Sequence, residues 1–186
     1  MIYYVRHGQS TDNVYDLITG QNDVQLTEKG VDQAKVTAKL LANIKFDICF
    51  CSPLIRTRQT LKEILPYHKN LQVIFDKRIM ERNYGEASGK ASKDFTFNRW
   101  QMGVKFPVKG LETVEEIYDR AKNFYDEIIK KYPDKNILVI SHGGFGRVTK
   151  CYFEGMPKSG DLSELITKNA EVTRYSTKQN NSEIIL

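Results

Sequence analysis

Short apolar runs alternate along the chain with longer segments in which apolar residues recur every three or four positions. The short runs predict buried β-strands, and the longer segments predict amphipathic helices that cover a sheet. The predicted strands lie at residues 2–5, 46–52, 72–75 and 136–140, followed by a closing hairpin of 171–176 and 183–185 across 178–181. The predicted helices lie at residues 27–43, 53–65 and 113–132, with a further helix after Gly144.

Residues that favour helix ends support these boundaries. Thr27 stands at the N-cap position of the first helix, and Thr113 and Glu116 form a capping box before the longest one. Pro53 lies where a first helical turn begins, and Pro133 ends the longest helix. Strands that alternate with helices of this length predict an α/β fold, a three-layer sandwich with a mostly parallel mixed sheet and helices on both faces.

The composition is typical of a globular protein. Of the 186 residues, 40% are hydrophobic and 27% are charged, and no repeat or linker interrupts the chain, so we expect a single domain over 1–186. No apolar run approaches the roughly 20 residues that cross a bilayer, and the start lacks a signal-peptide pattern. We therefore expect a cytoplasmic protein with no membrane partner, in which Cys49, Cys51 and Cys151 are buried, inert thiols.

Two of the three histidines directly follow predicted buried strands and directly precede a glycine. His7 follows the first strand and His142 follows the strand at 136–140, while Arg56 lies in the turn after a third strand. Because ligands of α/β sheets gather beyond the carboxyl ends of the strands, we expect these three side chains to meet in one site.

This combination indicates phosphoryl transfer. Arg6 and Arg56 carry permanently charged, planar groups that match phosphate oxygens, and His142, if protonated, adds a third cation. A histidine attacks phosphorus without a metal when one ring nitrogen is unprotonated and the ring is held in place. His7 is therefore the predicted nucleophile, with a backbone carbonyl expected to fix its tautomer.

A proton donor for the departing oxygen is also needed. Glu81 follows a strand-like stretch and is the candidate, and the nearby Glu86 is the alternative carboxylate. Carboxylates and histidines show no metal-ligand spacing, so we expect no metal.

The segment Arg6-His7-Gly8-Gln9-Ser10-Thr11-Asp12-Asn13 resembles the signature of the histidine phosphatase superfamily (phosphoglycerate mutase-like, branch 1), although Gln9 stands where Glu is frequent. The other blocks that resemble the family, in family order, are 19–23, 26–34, 52–60, 81, 112–113 and 141–144. The resemblance therefore covers nearly the whole chain up to about Gly146, and it implies the phosphoglycerate mutase-like fold.

The resemblance also implies roles for single residues. His7 is similar to the nucleophile that is phosphorylated, and Glu81 to the general acid and base. The residues similar to the phosphoryl pocket are Arg6, Arg56, His142, Asn13 and the backbone of Gly143. The residues similar to the substrate-side loop are Thr19 and Gly20. For Arg82 and Tyr84, which follow Glu81 closely in the sequence, substrate contact and local packing are both open interpretations. The resemblance implies no metal or other cofactor.

The leading hypothesis is a phosphatase that hydrolyses phosphate monoesters of small metabolites through a phosphohistidine on His7. A cofactor-dependent phosphoglycerate mutase is the alternative enzyme, because residues 80–85 resemble the mutase segment. Against it, the flap at about 86–110 is short for the insert with paired basic residues that holds the carboxylate in mutases. A catalytically idle phospho-ligand-binding module is the alternative from another class.

The net charge of +5 suits anionic ligands, but it also suits a nucleic-acid surface. Basic and aromatic residues interleave at 90–106, which we interpret as part of the flap, with its aromatic side chains packed over the core. Because the assigned cations converge on a pocket, no nucleic-acid partner is expected. The natural substrate, the oligomeric state and the role of residues 147–186 stay open.

Overall fold

A six-stranded mixed sheet forms the centre of the protein, in a computed structural model that describes residues 1–177 and 182–186. The strands are β1 Ile2–Arg6, β2 Ile48–Cys51, β3 Val73–Phe75, β4 Ile137–Ser141, β5 Val172–Tyr175 and β6 Ser182–Ile184. Their order across the sheet is β3-β2-β4-β1-β5-β6. The first four pair in parallel, and β5 and β6 join as an antiparallel extension.

The helices are α1 Thr11–Val14, α2 Glu28–Leu41, α3 Ile55–Ile64, α4 Val114–Lys131 and α5 Gly143–Glu154. The predicted caps form: the Thr27 hydroxyl accepts from the Gly30 N–H at 3.0 Å, and Thr113 and Glu116 make a reciprocal capping box. The short α1 escaped prediction because four residues are too few for an apolar period. Helix α5 begins at Gly143, whereas the sequence predicted a helix only after Gly144.

Alternate side chains of the central strands enter two separate cores. On one face, Tyr4 of β1 and Val139 of β4 pack with α4 and α5. On the other face, Val5 and Ile140 pack with α2 and α3. Both sheet faces are thus buried under helices, which explains why these strands read as continuous apolar runs. The predicted three-layer α/β sandwich is confirmed.

The closing hairpin is confirmed by the pairing of β5 with β6, while its turn at 178–181 lies outside the described residues. Cys49, Cys51 and Cys151 are buried free thiols, as predicted. Within the described ranges, no helix is long and apolar enough to cross a bilayer.

The flap, residues 86–110, does not pack all its aromatic side chains over the core as expected. Trp100 is only 7% exposed and joins the core beside α4 and α5. Phe95, Phe97 and Phe106 are half-buried and contact one another instead, with the rings of Phe97 and Phe106 stacked 4.8 Å apart. Of these four aromatic side chains, only Trp100 is buried in the core, and it also lines the cavity described next.

Candidate active site

The carboxyl ends of three neighbouring parallel strands meet at one edge of the sheet. Arg6 of β1 pairs in register with Ser141 of β4, so His7 and His142 leave the sheet side by side. β2 lies on the other side of β4, and the turn after it leads to Arg56. The structure thus brings His7, Arg56 and His142 together, and the first two line a cavity of about 200 Å³.

The ring of His7 is held in one tautomer by its own loop. Nδ1 lies 2.6 Å from the carbonyl oxygen of Gly8, and because a carbonyl only accepts, Nδ1 carries the proton. Nε2 therefore keeps its lone pair, and it accepts from Nε of Arg56 at 3.2 Å. Burial, with the charges of Arg56 and Arg6, holds the pKa of His7 well below its ordinary value. His7 is thus a neutral imidazole with a defined free nitrogen.

Close backbone packing fixes the loop that carries His7. A Cβ on Gly8 would lie 2.2 Å from the carbonyl oxygen of Gly30, and a Cβ on Gly30 would lie 2.0 Å from that of Gln9. Gln9 accepts from the Thr27 hydroxyl through its side chain at 3.0 Å, so it braces the loop rather than the cavity. These contacts show that the block around Thr27 and Gly30 supports the loop that carries His7.

Arg56 links the two histidines. Its Nε also donates to Nδ1 of His142 at 3.1 Å, and Nε2 of His142 is 2.7 Å from the hydroxyl of Ser52. Because Nδ1 accepts, the proton of His142 lies on Nε2. Burial, then Arg56, holds the pKa of His142 well below its ordinary value, so in the free site it is neutral and does not supply a third cation. Burial lowers the pKa of Arg56 to about 10, and Arg56 stays charged at neutral pH.

Arg6, Asn13 and Gly143 line the cavity around His7. Arg6 donates to the carbonyl of Thr167 at 2.5 Å, and its Nε is buried without a partner among the described residues. A Cβ on Gly143 would lie 3.1 Å from the Arg6 guanidinium, so glycine allows this close approach at the start of α5. The N-terminus of a helix and a guanidinium together favour an anion here.

Asn13 is oriented by a residue that the sequence did not single out. Its side-chain oxygen accepts from the N–H of Ser10 and from Nδ2 of Asn169, both at 3.1 Å. Because the side-chain oxygen of Asn13 accepts both of these bonds, neither of them uses its NH2 group. Asn169 also donates to the carbonyl of His7 at 3.3 Å, and Ala170, at φ 61°, donates its N–H to the same oxygen at 3.1 Å. Residues after α5 therefore hold both Asn13 and His7.

Glu81 faces the same cavity, whereas Glu86 is exposed and lies outside the lining. The stretch before Glu81 is a 3₁₀ turn, Lys77–Ile79, rather than a continuous strand. The carboxylate accepts from the N–H of Arg82 at 2.7 Å and from that of Gly144 at 3.0 Å. Two backbone donors thus fix its orientation.

The remaining predicted residues divide between the cavity and its surroundings. Thr19, Gly20 and Tyr84 line it, and burial raises the pKa of Tyr84 to about 12, so its hydroxyl stays protonated. Arg82 is fully buried outside the lining, with its guanidinium 4.7 Å from the Trp100 ring centroid. His142 also lies outside the lining and reaches the site through Arg56.

Several residues of the cavity wall were not singled out from the sequence, although Gly144 lies in the family-like block 141–144. They are Leu17, Ile18, Ser92, Arg99, Trp100, Gly144, Arg147, Ile166 and Thr167. Arg147 follows His142 by five residues on α5, which is a usable signal once the helix is known to begin at Gly143. Ile166 and Thr167 come from an irregular segment with no pattern of its own.

A family model described as the histidine phosphatase superfamily (branch 1) matches residues 2–186. Phosphoserine phosphatase 1 of Hydrogenobacter thermophilus is 32% identical, with 92% of this chain and 82% of the relative covered. A 2,3-bisphosphoglycerate-dependent phosphoglycerate mutase of Rhizobium meliloti is 35% identical, with 75% of this chain and 72% of the relative covered.

A solved structure of phosphoserine phosphatase from Entamoeba histolytica has the same fold. It superposes with a TM-score of 0.83 at 20% identity, over 98% of this chain and 93% of the other. The match of the family model spans the core strands, the cavity and the segment after α5 that sequence reasoning left without a role. The chain belongs to the histidine phosphatase superfamily, branch 1.

Proposed function

We propose that the protein is a phosphomonoesterase that transfers the phosphoryl group of a small metabolite to Nε2 of His7 and then to water. One observation carries this proposal: His7 has a deprotonated Nε2, fixed by Gly8 and Arg56, at the floor of a cavity lined by arginines. A neutral imidazole held in one orientation is a nucleophile that needs no base.

The reaction proceeds in two displacements. Nε2 of His7 attacks phosphorus, the bond to the ester oxygen breaks, and Glu81 gives this oxygen a proton as the alcohol leaves. The Glu81 carboxylate then takes a proton from water, the water oxygen attacks phosphorus, and the bond to Nε2 breaks. Inorganic phosphate leaves, Glu81 is protonated again and Nε2 regains its lone pair.

The cations stabilise the charge that spreads over the three equatorial oxygens during each transfer. Arg6 and Arg56 provide the positive charge as fixed guanidinium groups. The amide of Asn13 and the N–H of Gly143 are further hydrogen-bond donors to these oxygens. His142 orients Arg56 through Nδ1 while it stays neutral. These groups bring the positive charge that a metal brings in other phosphatases, so we propose a reaction without a metal or other cofactor.

Family membership supports phosphatase activity on small phosphorylated substrates. The cavity of about 200 Å³ is below the roughly 300–1,000 Å³ of sites for drug-sized ligands, which agrees with a small metabolite. Buried free thiols agree with a reducing compartment, and on this ground we place the protein in the cytosol.

Mutase activity is the second candidate, and the similarity to a phosphoglycerate mutase favours it. The experiment incubates the protein with p-nitrophenyl phosphate and, separately, with 3-phosphoglycerate. Free phosphate is measured in both, and conversion to 2-phosphoglycerate is followed in the second. Aliquots quenched in alkali test for base-stable, acid-labile phosphate on the protein.

We expect free phosphate from both esters and a short-lived phosphoenzyme. Efficient interconversion of the two phosphoglycerates, with little free phosphate, makes the protein a mutase. Binding of phosphate without turnover of either ester makes it a binding module and overturns the proposal.

A further inference from the structure

Side chains from other parts of the chain hold the segment that carries Glu81, the proposed proton donor. The carbonyl oxygens of residues 78–81 all accept hydrogen bonds from such side chains. Backbone carbonyls that are withdrawn from water need partners, and in an irregular segment these partners fix the path of the chain. The position of Glu81 therefore depends on these donors as well as on the two N–H groups that its carboxylate accepts from.

Arg120 of α4 supplies most of these bonds. Its Nη1 donates to the carbonyls of Arg78 at 2.6 Å and Met80 at 2.8 Å, and its Nη2 donates to that of Glu81 at 3.1 Å. Nε donates to Oε1 of Glu112 at 2.6 Å, and Nη2 also donates to Oε2 at 3.0 Å. A guanidinium carries one N–H on Nε and two on each terminal nitrogen, so every donor of Arg120 is used.

Glu112 holds the guanidinium in the orientation that these bonds require. The side chains of Arg120 and Glu112 are 19% and 14% exposed, and a bidentate pair of this kind fixes geometry as well as charge. Oε2 of Glu112 also accepts from the N–H of Asn83 at 2.9 Å, two residues beyond Glu81. Glu112 lies in the family-like block 112–113, for which the sequence predicted no role. The pair thus grips the segment on both sides of Glu81.

The pair stands outside the cavity. Arg120 and Glu112 line a separate depression and are not part of the wall around His7. The guanidinium of Arg120 also lies 5.5 Å from the ring centroid of Phe145, which adjoins Gly144, the second support of the Glu81 carboxylate. A substrate in the cavity therefore does not touch Arg120, and any effect on the reaction passes through the supports of Glu81.

We propose that Arg120, oriented by Glu112, is a positioning residue that holds the Glu81 carboxyl group toward the leaving oxygen. The inference rests on the proposed function and deepens the role of Glu81 in it. One planar group reaches three carbonyls and two carboxylate oxygens at once, which a lysine with a single nitrogen cannot do. The geometry of the guanidinium, and not its charge alone, is what places Glu81.

The test uses two esters of the same ring, phenyl phosphate and p-nitrophenyl phosphate, of which the first has the more basic leaving oxygen. We measure kcat/KM for phosphate release, which reports the first displacement, with the wild type, Arg120→Lys and Glu112→Gln. Glu81→Gln alone and Glu81→Gln combined with Arg120→Lys complete a double-mutant cycle. Inhibition by vanadate is measured for every variant, since vanadate probes the phosphoryl pocket and not the proton donor.

Arg78→Gln is the matched control. The Arg78 side chain joins the same segment to the same helix, through ion pairs with Asp76 and Glu127 and a hydrogen bond to Asn123. It makes these contacts on the outer side, away from the four carbonyls. A loss of support that is merely structural should therefore appear in this variant as well.

We expect Arg120→Lys to lower kcat/KM for phenyl phosphate about 10- to 100-fold, because a shift of about 1 Å in a catalytic group has an effect of this order. p-Nitrophenyl phosphate should lose much less, since its leaving group needs little protonation. Glu112→Gln, in which an NH2 group replaces one accepting oxygen, should show the same pattern at smaller size. Added to Glu81→Gln, Arg120→Lys should cost no more than about twofold further, because both changes act through one group. Arg78→Gln should keep the wild-type ratio of the two esters.

Two results overturn the inference. One is an equal loss for both esters in Arg120→Lys and Glu112→Gln, or full additivity with Glu81→Gln. The other is weaker inhibition by vanadate in these variants, which shows that the pair supports the whole cavity rather than Glu81. If Arg120→Lys does not fold, Glu112→Gln and its combination with Glu81→Gln give the same comparison. A wild type that hydrolyses neither ester contradicts the proposed function itself.

Discussion

The backbone N–H of Gly144 donates a hydrogen bond to Oε2 of Glu81 at 3.0 Å. Gly144 is the second residue of α5, so the carboxyl group of Glu81 lies at the N-terminus of this helix. The contact leaves no room for a side chain, because a Cβ on Gly144 would lie 2.2 Å from Oε1 of Glu81 and 2.9 Å from Trp100. Glycine at this position is what allows Glu81 to face the cavity.

Gly144→Ala should therefore displace Glu81. A shift of about 1 Å in a catalytic group costs on the order of 100-fold in rate, and we expect a loss of this size in kcat for glycerol 3-phosphate. An activated aryl phosphate should lose less, because its leaving group departs without a proton. Steady-state phosphate release with the two esters measures the difference.

Gly146→Ala is the matched control on the same helix. Its Cβ would lie 2.7 Å from the hydroxyl of Thr167 and 3.2 Å from Tyr4, so it crowds a core residue and a residue of the cavity wall, but not Glu81. We expect a destabilisation of about 1–3 kcal/mol from overpacking, with the ratio of rates for the two esters unchanged. A Gly144→Ala enzyme with the wild-type ratio contradicts the positioning role of Gly144.

Glu81→Gln tests the proton donor directly. A glutamine cannot protonate a departing alkoxide, so poor leaving groups should slow by about 100- to 10,000-fold while p-nitrophenyl phosphate slows far less. Rates for a series of esters, plotted against leaving-group pKa, should be steeper for the variant. Glu86→Gln is the control and should behave as the wild type. Equal slowing of all esters by Glu81→Gln means that the acid is another group.

The convergence of His7, His142 and Arg56 was predictable because it depends only on strand ends. Each follows a parallel strand, and parallel strands place their carboxyl ends at one edge. The tautomer of His7 was predictable for a similar reason, since the partner of Nδ1 is the carbonyl of the next residue. Local chain geometry was sufficient in these cases.

Arg99 and Asn169 were not predictable in the same way. Arg99 reaches the cavity because Trp100 packs into the core, and Asn169 reaches Asn13 because the chain passes the carboxyl end of β1 before entering β5. Both placements depend on tertiary packing of irregular segments, which carry no period. The neutral state of His142 could not be predicted from the sequence either, because it depends on burial of the ring beside Arg56, which lowers its pKa.

His7→Ala should abolish turnover by several orders of magnitude, because no other nucleophile replaces Nε2. The variant should stay folded, since His7 follows β1 rather than lying within it. Acid-labile, base-stable phosphate should be trapped on the wild type and absent from the variant. Activity above about a tenth of the wild type means that His7 is not the nucleophile.

Chelation should leave activity unchanged. Within residues 1–177 and 182–186, no three histidine, cysteine or carboxylate side chains are grouped so that they could hold a metal. Arg6 and Arg56 supply the charge in the proposed mechanism. Initial rates should be equal before and after dialysis against EDTA, and vanadate, which mimics the transferring phosphoryl group, should inhibit. A rate lost on dialysis and restored by Mg²⁺ or Zn²⁺ contradicts this prediction.

The buried histidines should make stability depend on pH below about 6.5. Burial, then Arg56, holds the pKa of both His7 and His142 well below the ordinary value of 6.5. As the pH falls through 6.5, the unfolded chain binds protons at both sites while the folded chain does not. The neutral forms therefore contribute stability above this pH, and the contribution is lost progressively below it.

We expect the free energy of unfolding to fall by up to about 1.4 kcal/mol per pH unit for each buried histidine between pH 6.5 and 5. His7→Gln removes one of the two groups, so its stability should fall less steeply over this range. Urea denaturation at pH 7.5, 6.5, 5.5 and 5.0 measures both slopes, and their difference cancels the carboxylates common to the two proteins. If the pKa of His7 kept its ordinary value in the folded protein, the two slopes would coincide. If His7 were protonated in the folded free site at neutral pH, the stability of the wild type would fall less steeply than that of His7→Gln, and the lone pair on Nε2 that the mechanism requires would be absent.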